Sequence, residues 1–206
     1  MPDLPPFATV ALRLLVIGGS LGAWFVTQRL IGSRPADEQG IDDHLHRLTG
    51  GANNWLHRHP RVADSLLICS SLGVDAVTLF VLGYAVLGPS FTPFWGLLCL
   101  FAMRQACQAI VVLPAPPGII WRDPGFPSLF VTYKVGNDFF FSGHTALAVY
   151  GAIQLATLGI PALTALGILT AILQMVLVII LRAHWTLDVV AGIFAAVMVG
   201  ALFWPG

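Results

Sequence analysis

The sequence predicts an all-α fold, a polytopic membrane helix bundle of about six transmembrane helices. Three observations predict it. Of 206 residues, 57% are hydrophobic and only 10% are charged, against roughly 25% charged in an ordinary soluble domain. The apolar residues gather in long stretches, each near the roughly 20 residues that a helix needs to cross a bilayer. Between the stretches stand Pro/Gly turns or polar connections, which end helices. A soluble fold could not hide this much apolar surface, so a bilayer is the natural solvent. The length suits a single integral membrane domain over residues 1–206, with no room for a second globular unit. Formal net charge is zero, so no global electrostatic pull toward nucleic acid is expected.

The first span runs from Phe7 to Ile31. Met1 to Phe7 carries Asp3 and three prolines, with no positive n-region and no small-residue cleavage site after the apolar stretch. This reads as a retained span rather than a cleaved signal. A polar stretch, Gly32 to Arg61, follows, rich in Arg, Asp and His. The second span runs from Val62 to Leu87, and the turn Gly88-Pro89-Ser90 leads to a third, Thr92 to Leu113. Pro114, Pro116, Pro117 and Gly118 stop that helix, and a loop continues to Asn137. The fourth span runs from Phe139 to Leu158, with Gly159-Ile160-Pro161 as a tight turn into the fifth, Ala162 to Leu181. The sixth is Thr186 to Trp204. Six spans put both termini on one side of the membrane. The polar stretch after span one, the loop after span three and the junction after span five then share the other compartment.

Two stretches on that polar side could carry chemistry: Asn137-Asp138-Phe-Phe-Phe-Ser142-Gly143-His144-Thr145 and Arg182-Ala-His184-Trp-Thr-Leu-Asp188. His184 and Asp188 are four apart, hence neighbours on one helix face. A carboxylate that accepts from one ring nitrogen orients an imidazole and makes the other nitrogen a better base or nucleophile. His144 follows Ser142 and Gly143 near the start of a helix, where free N–H groups favour anions such as phosphate. Gly143 lets backbone approach a ligand closely. A lone histidine at a membrane interface is ordinarily a satisfied polar residue, so the weight lies in the combination. The set suits phosphoryl transfer: one histidine attacks phosphorus, an aspartate supports it, and a second histidine protonates the leaving oxygen. No metal is required, and no acidic cluster stands ready to hold one.

Phe141-Ser-Gly-His-Thr145 and His184-Trp-Thr-Leu-Asp188 resemble the paired motifs of the type 2 phosphatidic acid phosphatase superfamily. The closer resemblance is to its sphingomyelin synthase-like branch, which includes plant phosphatidylcholine:diacylglycerol cholinephosphotransferase. Sphingomyelin synthases carry Phe-Ser-Gly-His-Thr and His-Tyr-Thr-x-Asp, with Trp185 standing here for the tyrosine. Arg104 ahead of Leu113-Pro-Ala-Pro116, and the Val135-Gly-Asn137 run, are similar to features of that branch. The motifs fall within about residues 92–204, spans three to six. The resemblance implies that His184 is the nucleophile that forms a phosphohistidine and that Asp188 orients it. It implies that His144 is the acid toward the leaving alcohol, then the base for the acceptor. Substrate contacts are expected at Arg104, Ser142, Gly143, Arg182, Lys134 and Asp138, with no cofactor. The classical phosphatases carry a Lys-x6-Arg-Pro motif that is not found here. Their arginine stands six residues before the histidine, whereas Arg182 stands two before His184. Both departures favour the transferase-like branch.

Asp75 and Arg104 lie inside spans, where a charge is costly and usually functional. At 1.5 Å per residue both sit on the order of 15–20 Å below the polar-side boundary, placed to pair. Two readings stay open: a helix-tying ion pair, or a cation at the floor of a head-group cavity held by its aspartate, with Gln108 extending the polar track toward His144. Asp42-Asp43-His44-Leu-His46 with His57-Arg-His59 matches no strong metal motif and reads as a juxtamembrane amphipathic segment. Lys134 and Arg122 are placed to meet phosphates at the cavity mouth or to be solvated. Cys69, Cys99 and Cys107 fall in apolar stretches and read as buried small hydrophobes. Trp55, Trp95, Trp121 and Trp204 stand where interfacial belt residues stand.

The leading expectation is a membrane transferase that moves a phospho-head group, such as phosphocholine, from a phospholipid to a lipid alcohol such as diacylglycerol or ceramide. The alternative is a lipid phosphate phosphatase, in which water enters second. A non-enzymatic lipid-binding protein is disfavoured by the intact His144, His184 and Asp188 set. Nearly all Arg and Lys lie on the active-site side, which the positive-inside rule assigns to the cytoplasm. The resemblance implies the exoplasmic, periplasmic or lumenal face, and Asp37, Glu38, Asp42 and Asp43 offset some of those cations. The face implied by the resemblance is the expectation. The sequence specifies no oligomeric state.

Overall fold

The structure is a computed structural model that describes residues 6–32, 41–133, 136 and 139–203. Among them are eight helices and no strand. They are α1 (Pro6–Gly32), α2 (His44–Leu48), α3 (Gly50–Arg58), α4 (Pro60–Leu87), α5 (Thr92–Ile110), α6 (Gly143–Ala156), α7 (Pro161–Ile180) and α8 (Thr186–Leu202). Proline stands in the first turn of α4, α5 and α7, where its missing N–H costs nothing and its fixed φ suits the helix.

Among the described residues, three helices are long and apolar enough to cross a membrane: α1 over Pro6–Leu30, α4 and α7. The α8 helix is apolar but shorter, and α6 has only 14 residues. The outward faces of α7 and α8 carry Leu169, Ile172, Val176, Phe194, Val197 and Met198, all about half exposed or more. Such a continuous apolar surface is untenable in water and ordinary in lipid. The chain is a membrane protein of all-α fold.

The α6 helix is the centre of the bundle, packed against α7, α8 and α4, while α1 leans chiefly on α5 and α4. Small residues bring these helices close. A Cβ on Gly151 would collide with Val77 of α4, and one on Gly167 would collide with the Ala152 backbone. The main core joins α4, α5, α6 and α8 through Val74, Val81, Leu97, Leu100, Leu147, Tyr150 and Val199, and takes Val131 and Phe141 from the α5–α6 connection. Buried polar groups tie the helices in pairs. Tyr150 donates to the Pro93 carbonyl at 2.9 Å, and Ser70 donates to Gln174 at 2.8 Å. Arg13 donates to the carbonyls of Ala85, Val86 and Gly88, groups that a helix C-terminus otherwise leaves unpaired.

The expected fourth span from Phe139 begins as a helix only at Gly143. Residues 139–142 are instead held against α8, where Ser142 N–H donates to the Asp188 carbonyl at 3.0 Å. Gly192, one turn along α8, permits that approach: a Cβ there would lie 2.8 Å from the Ser142 carbonyl oxygen. Gly192→Val is therefore expected to cost about 1–3 kcal/mol through overpacking, read as a lower melting temperature in detergent. Gly19→Ala, whose Cβ would meet nothing within 4 Å, should not lower it.

Candidate active site

Two helix N-termini build the site. Ser142 caps α6, its hydroxyl accepting from the Thr145 N–H at 3.3 Å. His144 follows as the second residue of the helix. Asp188 stands in the first turn of α8, where its Oδ2 accepts the Trp185 N–H at 3.0 Å. His184 lies just before that helix, with Nδ1 3.6 Å from Asp188 Oδ2. This is longer than a hydrogen bond. The imidazoles of His144 and His184 face each other with centroids 5.9 Å apart. Trp121 meets the His144 ring edge-on at 5.0 Å and Phe139 meets the His184 ring at 5.9 Å. His144 Nε2 and Asp188 Oδ1 are buried without a hydrogen-bond partner.

Both histidines open on a cavity whose space, open mouth included, is about 730 Å³. Its polar wall is Arg104, Gln28, His144 and His184, and its aromatic wall is Trp24, Phe101, Trp121, Phe130 and Phe139. Arg104 donates from Nε to the Phe141 carbonyl at 2.9 Å and from Nη1 to Gln28 at 3.0 Å. Gly143 makes room for it, since a Cβ there would lie 3.1 Å from Arg104 Nε. Gln28 and Trp24 come from α1, which sequence reasoning had left outside the site.

Asp75 and Arg104 do not pair. The Asp75 carboxylate accepts from the Ser128 hydroxyl at 3.0 Å and from the Leu129 and Phe130 N–H groups at 2.9 and 3.1 Å. It folds the α5–α6 connection over the cavity and so sets Phe130 in the wall. Arg182 does not line the cavity. Its guanidinium donates to the Pro117 and His46 carbonyls at 2.6 and 3.1 Å, and its own φ is +54°, the left-handed region that non-glycine residues seldom adopt. Arg122 pairs with Asp64 at 2.7 Å and is not among the residues lining the cavity. Ser142 is buried as a cap. Lys134 and Asp138, with the Val135-Gly-Asn137 run between them except Gly136, lie outside the described residues. Gln108 is fully buried on α5.

The segment read as juxtamembrane holds two residues that reach the site. His46 Nε2 bonds the His184 carbonyl at 3.0 Å. Asp43 accepts from the Thr186 N–H and hydroxyl, both at 2.7 Å. Burial alone would raise the Asp43 carboxyl, but the Thr186 and His46 N–H groups outweigh it and hold it below its ordinary value. Burial pushes the His46 imidazole below its ordinary value, partly offset by Asp43. Asp43 standing three residues before His46 was the available signal, and it names no contact.

A family model described as AtPDCT1/2, phosphatidylcholine:diacylglycerol cholinephosphotransferase, matches residues 43–203. The chain belongs to that family. No curated protein and no solved structure matches it.

Because the folded Asp43 carboxyl titrates below its ordinary 3.8, its contribution to stability is complete above that value. It is lost as pH falls through the lower folded value. Asp43→Asn should melt below wild type at pH 7, and the gap should narrow as the pH is taken below 3.8, read by thermal unfolding in detergent across pH.

Proposed function

We propose that this AtPDCT1/2-family protein transfers phosphocholine from phosphatidylcholine to diacylglycerol through a phosphohistidine on His184. The reading rests on one arrangement above all: two imidazoles from separate helix starts facing each other at 5.9 Å on a cavity that also holds Arg104.

With Nδ1 turned to Asp188, His184 attacks phosphorus through Nε2. The N–P bond forms as the bond from phosphorus to the glycerol oxygen breaks, and His144 gives its proton to that oxygen, so diacylglycerol leaves neutral. Asp188 stabilises the positive charge on the attacking ring. A second diacylglycerol enters, His144 takes its hydroxyl proton, and its oxygen attacks phosphorus as the N–P bond breaks. Arg104 offsets charge on the phosphoryl oxygens. The aromatic wall suits the quaternary ammonium of choline, which is attracted to ring faces. Trp121 and Phe139, edge-on to the two imidazoles, keep water from the phosphohistidine, favouring an alcohol acceptor over hydrolysis. The same residues with water entering second would give a phosphatase. The protein acts as one domain crossing the membrane six times, through α1 and α4 to α8, with the site on the exoplasmic, periplasmic or lumenal face.

Purified protein given phosphatidylcholine and isotope-labelled diacylglycerol should produce labelled phosphatidylcholine by mass spectrometry, and His184→Ala should produce none. Free phosphocholine as the only product would replace this reading with hydrolysis. Silence of wild type across phospholipid donors would sink it.

Arg104→Met is expected to lower kcat by about 100-fold or more, as loss of one charge-stabilising donor does. A folded Arg104→Met protein with full exchange activity would remove Arg104 from the machinery.

A further inference from the structure

We propose that Asp43 and His46 are positioning residues for the His184 turn, which makes the segment ahead of α3 part of the catalytic unit. The inference rests on the reading of His184 as nucleophile.

His184 sits in the non-helical residues between α7 and α8, where no helical hydrogen-bond ladder fixes the backbone. Its orientation depends on what grips that turn. The His184 carbonyl takes a hydrogen bond from His46 Nε2 at 3.0 Å. A carbonyl can only accept, so His46 Nε2 carries the hydrogen. The His46 ring stacks on Trp185 at 5.6 Å, and the Trp185 indole N–H is held by the Pro114 carbonyl at 2.9 Å. Asp43 takes both the N–H and the hydroxyl of Thr186, and its Oδ1 also takes the His46 N–H at 3.2 Å. One carboxylate thus starts α2 and α8 together. Arg182 closes the loop in the other direction by donating to the His46 carbonyl. Side chains at 43 and 46 grip backbone at 184 and 186, while a side chain at 182 grips backbone at 46.

Two polar side chains of the segment, Asp43 and His46, are turned into the protein, while Asp42, His44 and Arg47 are exposed and so are Ile41, Leu45 and Leu48, at 42%, 41% and 69%. A segment that only rested on the membrane surface would have no reason to bury a carboxylate and an imidazole against the turn before α8. Burial of both is explained by what they hold.

A turn that shifts by about 1 Å can cost on the order of 100-fold in rate, and the loss falls on the chemical step rather than on substrate binding. The test compares full-length wild type, His184→Ala, His46→Phe and His46→Gln in the labelled diacylglycerol exchange assay, with melting temperatures alongside. His46→Phe keeps a ring on Trp185 but loses the donor, and His46→Gln offers an amide N–H in the place of Nε2. His46→Phe should lose about 10- to 100-fold in kcat with KM within about twofold. His46→Gln should recover most of that loss. The proposal is overturned if His46→Phe matches wild type, if His46→Gln is no better than His46→Phe, or if the loss follows only the fraction of protein that is folded. Activity that persists in His184→Ala would instead overturn the phosphohistidine reading itself, and the positioning role with it.

Discussion

Both histidines hang on a main-chain hydrogen bond between helices that are distant in sequence, from Ser142 N–H to the Asp188 carbonyl at 3.0 Å. It joins the first turn of α6 to the first turn of α8. Each helix start carries N–H groups that its own ladder cannot satisfy, and here they find three different acceptors: Ser142 N–H the Asp188 carbonyl across the pair, Trp185 N–H the Asp188 side chain within the start of α8, and Thr186 N–H the Asp43 carboxylate ahead of α2. The imidazoles face each other because the backbones beneath them are bonded. Gly192 is what allows the Ser142 turn and α8 to come this close.

A second constraint comes from length. With 14 residues, α6 is about 21 Å long. The described residues of the α5–α6 connection pack into the bundle, with Val131 and Phe141 in its core. Buried non-helical backbone needs protein groups to satisfy it. Asp75 takes two of its N–H groups, Asn53 donates to the Gly118 carbonyl, Trp121 donates to the Thr132 carbonyl at 3.0 Å and Arg182 donates to the Pro117 carbonyl. Tyr133 in the same connection is hydrogen-bonded to Ser71 of α4. This explains why Asp75 is not the counter-ion of Arg104. A carboxylate accepts from two adjacent N–H groups and a hydroxyl in one geometry, and the loop offers all three. Much of the charge inside the apolar envelope thus holds backbone in place, and the cavity wall of Phe130, Val131 and Thr132 is a consequence of that anchoring.

Helix existence and most helix boundaries were legible in the sequence because the signals are local. The prolines at 60, 93 and 161 lie within the first two positions of α4, α5 and α7, and the apolar runs between them could form nothing else in a bilayer. His184 and Asp188 do come together, but not as neighbours on one helix face: His184 precedes α8, and the turn at Trp185 leaves its Nδ1 3.6 Å from Asp188 Oδ2. That His144 would meet them followed from counting spans. The start of α6 was read four residues early because Phe139 to Phe141 are apolar and no local signal says that Ser142 bonds to α8.

What the sequence determined by itself is the list of groups: apolar helices, two histidines, an aspartate and an arginine. What the tertiary structure decided is who satisfies whom. Asp43 reaches Thr186 across 143 positions and His46 reaches His184 across 138, and no periodicity or spacing rule connects residues so far apart. Asp75, Arg182, Asp43 and His46 are all polar residues with several possible partners. In an apolar medium each must find one, and which one it finds depends on where the bundle brings the loops together.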